Sequence, residues 1–169
     1  SLNSLSSRGR GAKFEDLGKN SDGIHPKVLE RFIKSCAGYC VITYILGIGD
    51  RHLDNLMLKT SGELFHIDFG YIFGCDPKPW PSPMRITTQM VEGMGGRDSD
   101  GFRRFMSACC QAYKVLRTNA TLILTLLRLM GDAGIESMRD NPTAVCAEVQ
   151  QKLRLDLTDD EHAEAHLAE

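Results

Sequence analysis

The chain has 169 residues, of which 42% are hydrophobic and 25% are charged, and this composition excludes a disordered chain. The formal net charge is −2, but residues 156–169 carry six acids and no lysine or arginine, which leaves 20 bases against 16 acids in residues 1–155. That positive excess is too small to predict a nucleic-acid partner.

The first predicted element is a long buried helix. Residues 1–23 are rich in Ser, Gly and charge, and we expect them to form a flexible leader. The helix is predicted to begin at Pro26, a favoured first helical residue, and apolar residues follow it at helical spacing. Because residues 39–46 are almost entirely apolar, this helix should be central, and Gly47 and Gly49 should end it.

A hairpin and a long loop are predicted to follow. Residues 55–58 and 64–68 are typical of two short strands around a turn that contains Gly62. Prolines at every second position from Pro77 to Pro83 exclude a regular helix there. We therefore expect an exposed loop of about twenty residues, and loops of that length are commonly functional.

The remainder of the chain is predicted to be helical. Thr87 or Thr88 is a suitable N-cap for a short helix, and Ser99 for a long one. A strongly apolar helix comes next, and the Asn-Pro pair at 141–142 marks the start of another. Residues 158–161 have the capping-box pattern of a last, acidic helix.

Cysteine spacing and hydropathy indicate where the protein is found. The six cysteines include no Cys-x-x-Cys pair, so we expect reduced, mostly buried thiols of a cytoplasmic protein. No apolar run reaches the roughly 18 residues of a membrane span, and the polar start lacks the apolar core of a secretory signal.

The segment GIGDRHLDNLMLKTSGELFHIDFG, residues 47–70, contains the candidate active site. Asp50 precedes Asn55 by five residues, and Asp68 follows Asn55 by thirteen, within Asp-Phe-Gly. Phosphoryl transfer from ATP needs oxygen ligands for Mg²⁺ or Mn²⁺, and a group that orients or deprotonates the acceptor hydroxyl. Protein kinases supply these with an Asp and an Asn at the same separation, followed by Asp-Phe-Gly. The spacing therefore predicts a kinase-type site.

The order of the first triplet points to one branch of kinases. Protein kinases have His-Arg-Asp, whereas this chain has Asp50-Arg51-His52, and the pattern GxGDRHxxN followed by HIDFG resembles the phosphatidylinositol 3-kinase and related kinase superfamily. The resemblance implies that Asn55 and Asp68 hold the metal ion against the ATP phosphates. It also implies that His52 accepts the hydroxyl proton, a role that suits histidine, while Asp50 orients that hydroxyl or shares the base role. Arg51 anchors the loop or contacts a phosphate.

Three other ionisable features have simpler interpretations. Asp54 is as readily a surface acid as a functional one, and His66 is expected to pack beneath the site. His162 and His166 flank Glu164, which stands one position too late for the zinc-protease pattern, so metal binding is not expected there.

The loop after Asp-Phe-Gly bears on the substrate. Superfamily members that act on multiply phosphorylated inositides carry a dense Lys/Arg cluster in this loop, since each added phosphate needs charge-assisted donors. Residues 71–88 contain only Lys78 and Arg85, as expected for a headgroup with a single phosphodiester. Lys78 is the first candidate for the headgroup phosphate, unless it is a solvated loop charge, and Arg85 is the second basic residue of this substrate site. Trp80 either inserts at the membrane interface or packs on the domain.

The segment DPKPWPSPMR and its flanks most closely resemble the class III, vacuolar-sorting type phosphatidylinositol 3-kinases, from about residue 24 to residue 158. The resemblance implies transfer of the ATP γ-phosphate to the 3-hydroxyl of phosphatidylinositol on endosomal and autophagic membranes. It also implies a regulatory scaffold kinase and a coiled-coil subunit as partners.

We therefore expect a mainly α-helical α+β fold, in which residues 24–169 form the large, C-terminal lobe of a kinase and a short β-hairpin carries the catalytic and Asp-Phe-Gly motifs. No Gly-rich phosphate loop or strand lysine precedes residue 24. The N-terminal lobe and the final C-terminal helix are thus expected to be absent, and the isolated chain to have little or no activity.

Two alternatives remain for the function. The first is a protein kinase of the same superfamily, which the lipid-kinase-like loop disfavours. The second is a catalytically inactive lobe that serves as a binding module, which the intact Asp50, His52, Asn55 and Asp68 disfavour.

Overall fold

The central helix, α1, spans Pro26–Leu46 in the computed structural model, which describes residues 23–77, 84, 86–139, 141–157 and 165. At its start the side chain of His25 accepts a hydrogen bond from the amide of Lys27 at 3.1 Å. It ends at Gly47, which has a left-handed backbone with a φ of 55°. The predicted start and end of this helix are confirmed.

A β-hairpin follows α1 after a loop and one 3₁₀ turn at Leu53–Asn55. Strand β1, Leu56–Leu58, pairs antiparallel with strand β2, Leu64–His66, with Met57 opposite Phe65. The hairpin is confirmed, but the second strand was predicted to run to residue 68 and ends at His66 instead. Asp68 has a φ of 59°, a left-handed conformation that cannot continue a strand.

Five more helices complete the described part of the chain: α2 (Thr88–Gly93), α3 (Asp100–Thr118), α4 (Ala120–Leu129), α5 (Glu136–Arg139) and α6 (Pro142–Lys152). The predicted caps are confirmed, since Thr87, Ser99 and Asn141 each accept a backbone amide hydrogen bond at the start of α2, α3 and α6. Helix α5 was missed because a single turn has no periodicity to detect. The capping-box segment and residues 1–22 of the predicted leader lie outside the described residues.

The hydrophobic core surrounds α1. Helix α3 packs along α1, while α6 contacts both α1 and α4, and β2 lies against α1 on another side. The largest fully buried side chains come from α1, α3 and the C-terminal helices: Tyr113, Phe105, Ile33, Ile45, Met138 and Leu153. No helix in the described ranges is long and apolar enough to cross a bilayer.

The cysteines follow the prediction of reduced, mostly buried thiols. All six lie in the described part of the chain, none of them forms a disulfide bond, and four of them are buried. Burial raises the pKa of Cys40 to about 12 and also raises the pKa values of Cys36 and Cys109. These thiols are therefore protonated and unreactive at neutral pH.

Two polar side chains on α3 fasten the end of α6 to the core. The hydroxyl of Tyr113 donates a hydrogen bond to the carbonyl of Lys152 at 2.8 Å. The guanidinium of Arg117 donates to the carbonyls of Leu153 and Leu157 at 2.6 and 2.7 Å. The chain after α6 is thereby held against the C-terminal end of α3.

Candidate functional site

The polar residues that the sequence singled out lie in two loops. The catalytic loop, residues 47–55, follows α1, and the DFG loop, residues 67–76, follows β2. The left-handed Gly47 turns the chain out of α1 towards the hairpin. Each loop therefore begins directly after an element that packs in the core.

Backbone hydrogen bonds pair the two loops. They join the amide of Gly49 to the carbonyl of Tyr71 at 2.8 Å, the amide of Phe73 to the carbonyl of Leu46 at 2.8 Å, and the amide of Gly74 to the carbonyl of Gly47 at 3.0 Å. Since backbone pairing fixes the relative position of two segments, the catalytic and DFG loops form one unit.

Arg51 adds a side-chain link between the same loops. Its guanidinium is buried, with 6% of the residue exposed. Nε donates to the carbonyl of Gly49 at 2.8 Å and Nη1 to the carbonyl of Ile67 at 2.8 Å, while Nη2 donates to the carbonyl of Asp68. The guanidinium carbon also lies 5.6 Å from the ring centroid of Phe69. These four contacts join Arg51 to the backbone of both loops and to the Phe69 ring.

The two predicted metal ligands lie on segments whose backbones are joined by a hydrogen bond. Asn55 is buried, and its carbonyl accepts a hydrogen bond from the amide of Ile67, the residue before Asp68, at 3.0 Å. Its Nδ2 donates to the carbonyl of Asp50 at 2.8 Å, which orients the side-chain amide. Within the described part of the chain no group donates to the Asn55 Oδ1. The exposed carboxylate of Asp68 accepts one hydrogen bond, from the amide of Gly70 at 3.2 Å.

His52 lies between two carboxylates. Its Nε2 is 3.7 Å from the Asp50 Oδ2 and its Nδ1 is 3.8 Å from the Asp54 Oδ2, and 44% of its side chain is exposed. Asp54 is fully exposed, so its surface interpretation fits the geometry. An imidazole in this position can reach solvent or substrate.

His66 lies beneath the two loops, as expected, and is buried. Its ring stacks on Tyr39 with the centroids 4.5 Å apart, and its Nδ1 is 3.3 Å from the Thr43 Oγ1. Burial, followed by the positive charge of Arg51, lowers the pKa of His66 to about 4. It is therefore neutral at physiological pH and supports the site instead of exchanging protons there.

Asp76 is a site residue that the sequence did not reveal. Its Oδ2 accepts a hydrogen bond from the backbone amide of Asp50 at 3.1 Å, across 26 positions of the chain. Such a contact has no local sequence signal, because it depends on how the two loops pair. The predicted substrate residues Lys78, Trp80 and Arg85 lie outside the described residues.

The residues present fit a magnesium or manganese ion. Among the described residues no group of three or more His, Cys, Asp or Glu is placed to hold a metal. An ion here would instead take the Asn55 amide oxygen and the Asp68 carboxylate, completed by phosphate oxygens and water. Mg²⁺ accepts one or two protein oxygens with such partners, and Mn²⁺ suits the same oxygen donors. The pair His162 and His166 lies outside the described residues.

The segment that contains these two loops matches a known protein family. Residues 14–139 match the sequence model of the family described as phosphatidylinositol 3- and 4-kinase. The chain belongs to this family. The match begins within the segment predicted to be a leader, and it includes both the catalytic loop and the DFG loop.

Individual relatives of this chain are named as phosphatidylinositol 3-kinases. The chain is 55% identical over 148 residues to "Phosphatidylinositol 3-kinase, root isoform" of Glycine max, a match that covers 88% of this chain and 18% of the relative. It is 53% identical over 138 residues to "Phosphatidylinositol 3-kinase VPS34" of Arabidopsis thaliana, covering 82% of this chain and 17% of the relative. A third match, 49% identical over 138 residues, is to "Phosphatidylinositol 3-kinase catalytic subunit type 3" of Caenorhabditis elegans, covering 82% of this chain and 15% of the relative.

These matches confirm the resemblance to the class III phosphatidylinositol 3-kinases. The chain spans less than a fifth of the length of each of these relatives.

Proposed function

We propose that this chain carries the catalytic residues of a phosphatidylinositol 3-kinase, which transfers the γ-phosphate of ATP to the 3-hydroxyl of phosphatidylinositol. The observation that carries the proposal is the pairing of the catalytic and DFG loops, which brings Asp50, His52, Asn55 and Asp68 to one side of the fold. The names of the relatives support the reaction and the substrate. In this proposal the described helices and hairpin belong to the C-terminal lobe of the kinase domain.

The nucleotide side of the site consists of Asn55 and Asp68. Their oxygens hold Mg²⁺ or Mn²⁺, which when bound neutralises charge on the transferring phosphate. The Asn55 Oδ1 is aimed by the hydrogen bond between its Nδ2 and the carbonyl of Asp50, so its position is set before nucleotide arrives. Asp68 sits at the first residue of Asp-Phe-Gly with an exposed carboxylate that can turn towards a phosphate-bound cation.

The acceptor side consists of Asp50 and His52. His52 takes the proton of the inositol 3-hydroxyl, and the nearby carboxylate of Asp50 stabilises the imidazolium or orients the hydroxyl. Arg51, which separates them in the sequence motif, acts as a positioning residue, because its three guanidinium nitrogens donate to backbone carbonyls.

The loop that follows Asp76 binds the lipid in this proposal. Lys78 and Arg85 pair with the single headgroup phosphodiester, and Trp80 enters the membrane interface. The protein is then a peripheral enzyme of endosomal and autophagic membranes. A scaffold kinase and a coiled-coil subunit regulate it.

The experiment uses the full-length gene product that contains this chain. It receives labelled ATP, Mg²⁺ or Mn²⁺, and liposomes of phosphatidylinositol mixed with its 4-phosphate and 4,5-bisphosphate, beside an Asp68→Ala variant. Label confined to phosphatidylinositol 3-phosphate and lost in the variant supports the proposal.

Two other results contradict it. Label in the 3,4- or 3,4,5-phosphates would contradict the assignment of the sparse basic loop to a singly charged headgroup. Label in added protein but in no lipid, or no label at all, would favour the protein kinase or the inactive binding module.

A further inference from the structure

The carboxylate of Asp76, in the DFG loop, binds the backbone amide of Asp50. Asp50 lies in the loop between α1 and β1 and has a φ of 51°, a left-handed conformation that residues with a side chain seldom adopt. The Asp76 Oδ2 accepts that amide at 3.1 Å. A carboxylate acceptor makes a stronger hydrogen bond than a neutral one, so the contact favours the unusual conformation that directs the Asp50 side chain.

The contact depends on an unusually close approach of the two loops. A Cβ atom at Gly49 would lie 2.6 Å from the carbonyl oxygen of Cys75 and 2.8 Å from the Asp76 Oδ2. A Cβ atom at Gly47 would lie 2.7 Å from the amide nitrogen of Gly74. Only glycine at both positions lets the loops meet closely enough for the Asp76 carboxylate to reach the backbone of Asp50.

We propose that Asp76 is a positioning residue for the transfer step, because it holds the amide of Asp50 and thereby aims the Asp50 carboxylate at His52. The inference rests on the proposed function, since it assigns a role within the same site. Asp76 directly precedes Pro77, the start of the proline-rich loop that we assign to the lipid. It therefore connects the acceptor-binding segment to the residue that orients the acceptor hydroxyl.

The test compares Asp76→Ala with Asp76→Asn in the full-length gene product. Asparagine keeps an oxygen that can accept the Asp50 amide, whereas alanine removes it. We expect Asp76→Ala to lower kcat about tenfold while the KM for ATP changes by less than about twofold, since Asp76 accepts the amide of Asp50, whereas Asn55 is oriented by the carbonyl of Asp50, which belongs to the next peptide group. Asp76→Asn should keep kcat within about threefold of the unmodified enzyme, and Asp132→Ala, at an exposed aspartate between α4 and α5, should leave it unchanged.

Amide hydrogen exchange gives a readout that needs no activity. The peptide that contains Asp50 should exchange about tenfold faster in Asp76→Ala than in the unmodified protein, and at nearly the original rate in Asp76→Asn. Unmodified kcat in Asp76→Ala, equal losses in both variants, or unchanged exchange at Asp50 would each overturn the inference.

The exchange result also separates this inference from the proposed function. If the unmodified protein formed no phosphatidylinositol 3-phosphate, the proposed function would fail, while exchange at Asp50 would still decide whether Asp76 holds that amide. If Asp76→Ala did not fold, Asp76→Asn would carry both measurements, and a tenfold loss of kcat or of protection in that variant would refute the role of the hydrogen bond.

Discussion

Replacing Arg51 by lysine keeps the positive charge but removes the planar fork that joins the two loops. The guanidinium donates to three backbone carbonyls, of Gly49, Ile67 and Asp68, from three different nitrogens. An ammonium group donates from a single point and can keep about one of these bonds. With about 1.5 kcal/mol for each lost hydrogen bond to a charged donor, Arg51→Lys should lower the free energy of unfolding by about 3 kcal/mol.

Urea denaturation of this chain, followed by circular dichroism, measures that change. A loss of about 3 kcal/mol is well resolved against a total of about 5–15 kcal/mol for a domain and should leave the variant folded in buffer. In the full-length gene product the same substitution should lower kcat at least about tenfold, because the DFG loop is no longer fixed to the catalytic loop.

The matched control is Arg128→Lys, at an exposed arginine of α4. It should change neither quantity. If Arg51→Lys altered the unfolding free energy by less than about 0.5 kcal/mol, as surface substitutions do, the assignment of Arg51 as the link between the loops would be wrong.

Three further results are expected. Gly49→Ala should lower both stability and kcat, because its Cβ would lie 2.6 Å from the carbonyl oxygen of Cys75, and thermal unfolding that matches the unmodified chain would contradict the close approach of the loops. Because burial lowers the pKa of His66 to about 4 from the ordinary 6.5, the free energy of unfolding should decrease as the pH falls from about 6.5 to about 4; urea titrations should show this part of the pH dependence disappear in His66→Gln. A maleimide should modify the exposed Cys75 in the native chain, whereas the cysteines buried between α1 and α3 should react only after unfolding, as mass spectrometry of the labelled peptides would report.

Much of the fold could be predicted because its signals are local. The apolar run after Pro26 and the left-handed Gly47 specify the limits of α1, and the capping side chains of Thr87 and Ser99 specify the starts of two more helices. The end of β2 could not be predicted. It depends on the backbone conformation of Asp68. The carbonyl of Asp68 accepts a hydrogen bond from the guanidinium of Arg51, seventeen positions earlier.

The site shows the same division between local and distant signals. Motif spacing predicts Asn55 and Asp68 as metal ligands, because kinase chemistry requires these side chains at that separation, and their role stays a prediction. Motif spacing could not reveal that the guanidinium of Arg51 donates hydrogen bonds to backbone carbonyls. It also could not reveal that the Asp76 carboxylate accepts a hydrogen bond from the amide of Asp50. Both contacts arise from the pairing of two loops that are distant in sequence, and the residue types alone do not specify that pairing.

The left-handed backbone at Asp50 and Asp68 has a consequence for selection. A left-handed conformation costs a residue with a side chain about 1 kcal/mol, and Gly avoids that cost, although its more flexible unfolded chain offsets part of the gain. The backbone at these two positions would therefore accept Gly, at the loss of the hydrogen bond from the Gly70 amide to Asp68 and of the contact between Asp50 and His52. Laboratory evolution of this chain for heat resistance alone should therefore tolerate Gly at both positions, whereas selection for the phosphate transfer that we propose for the full-length gene product should retain both aspartates.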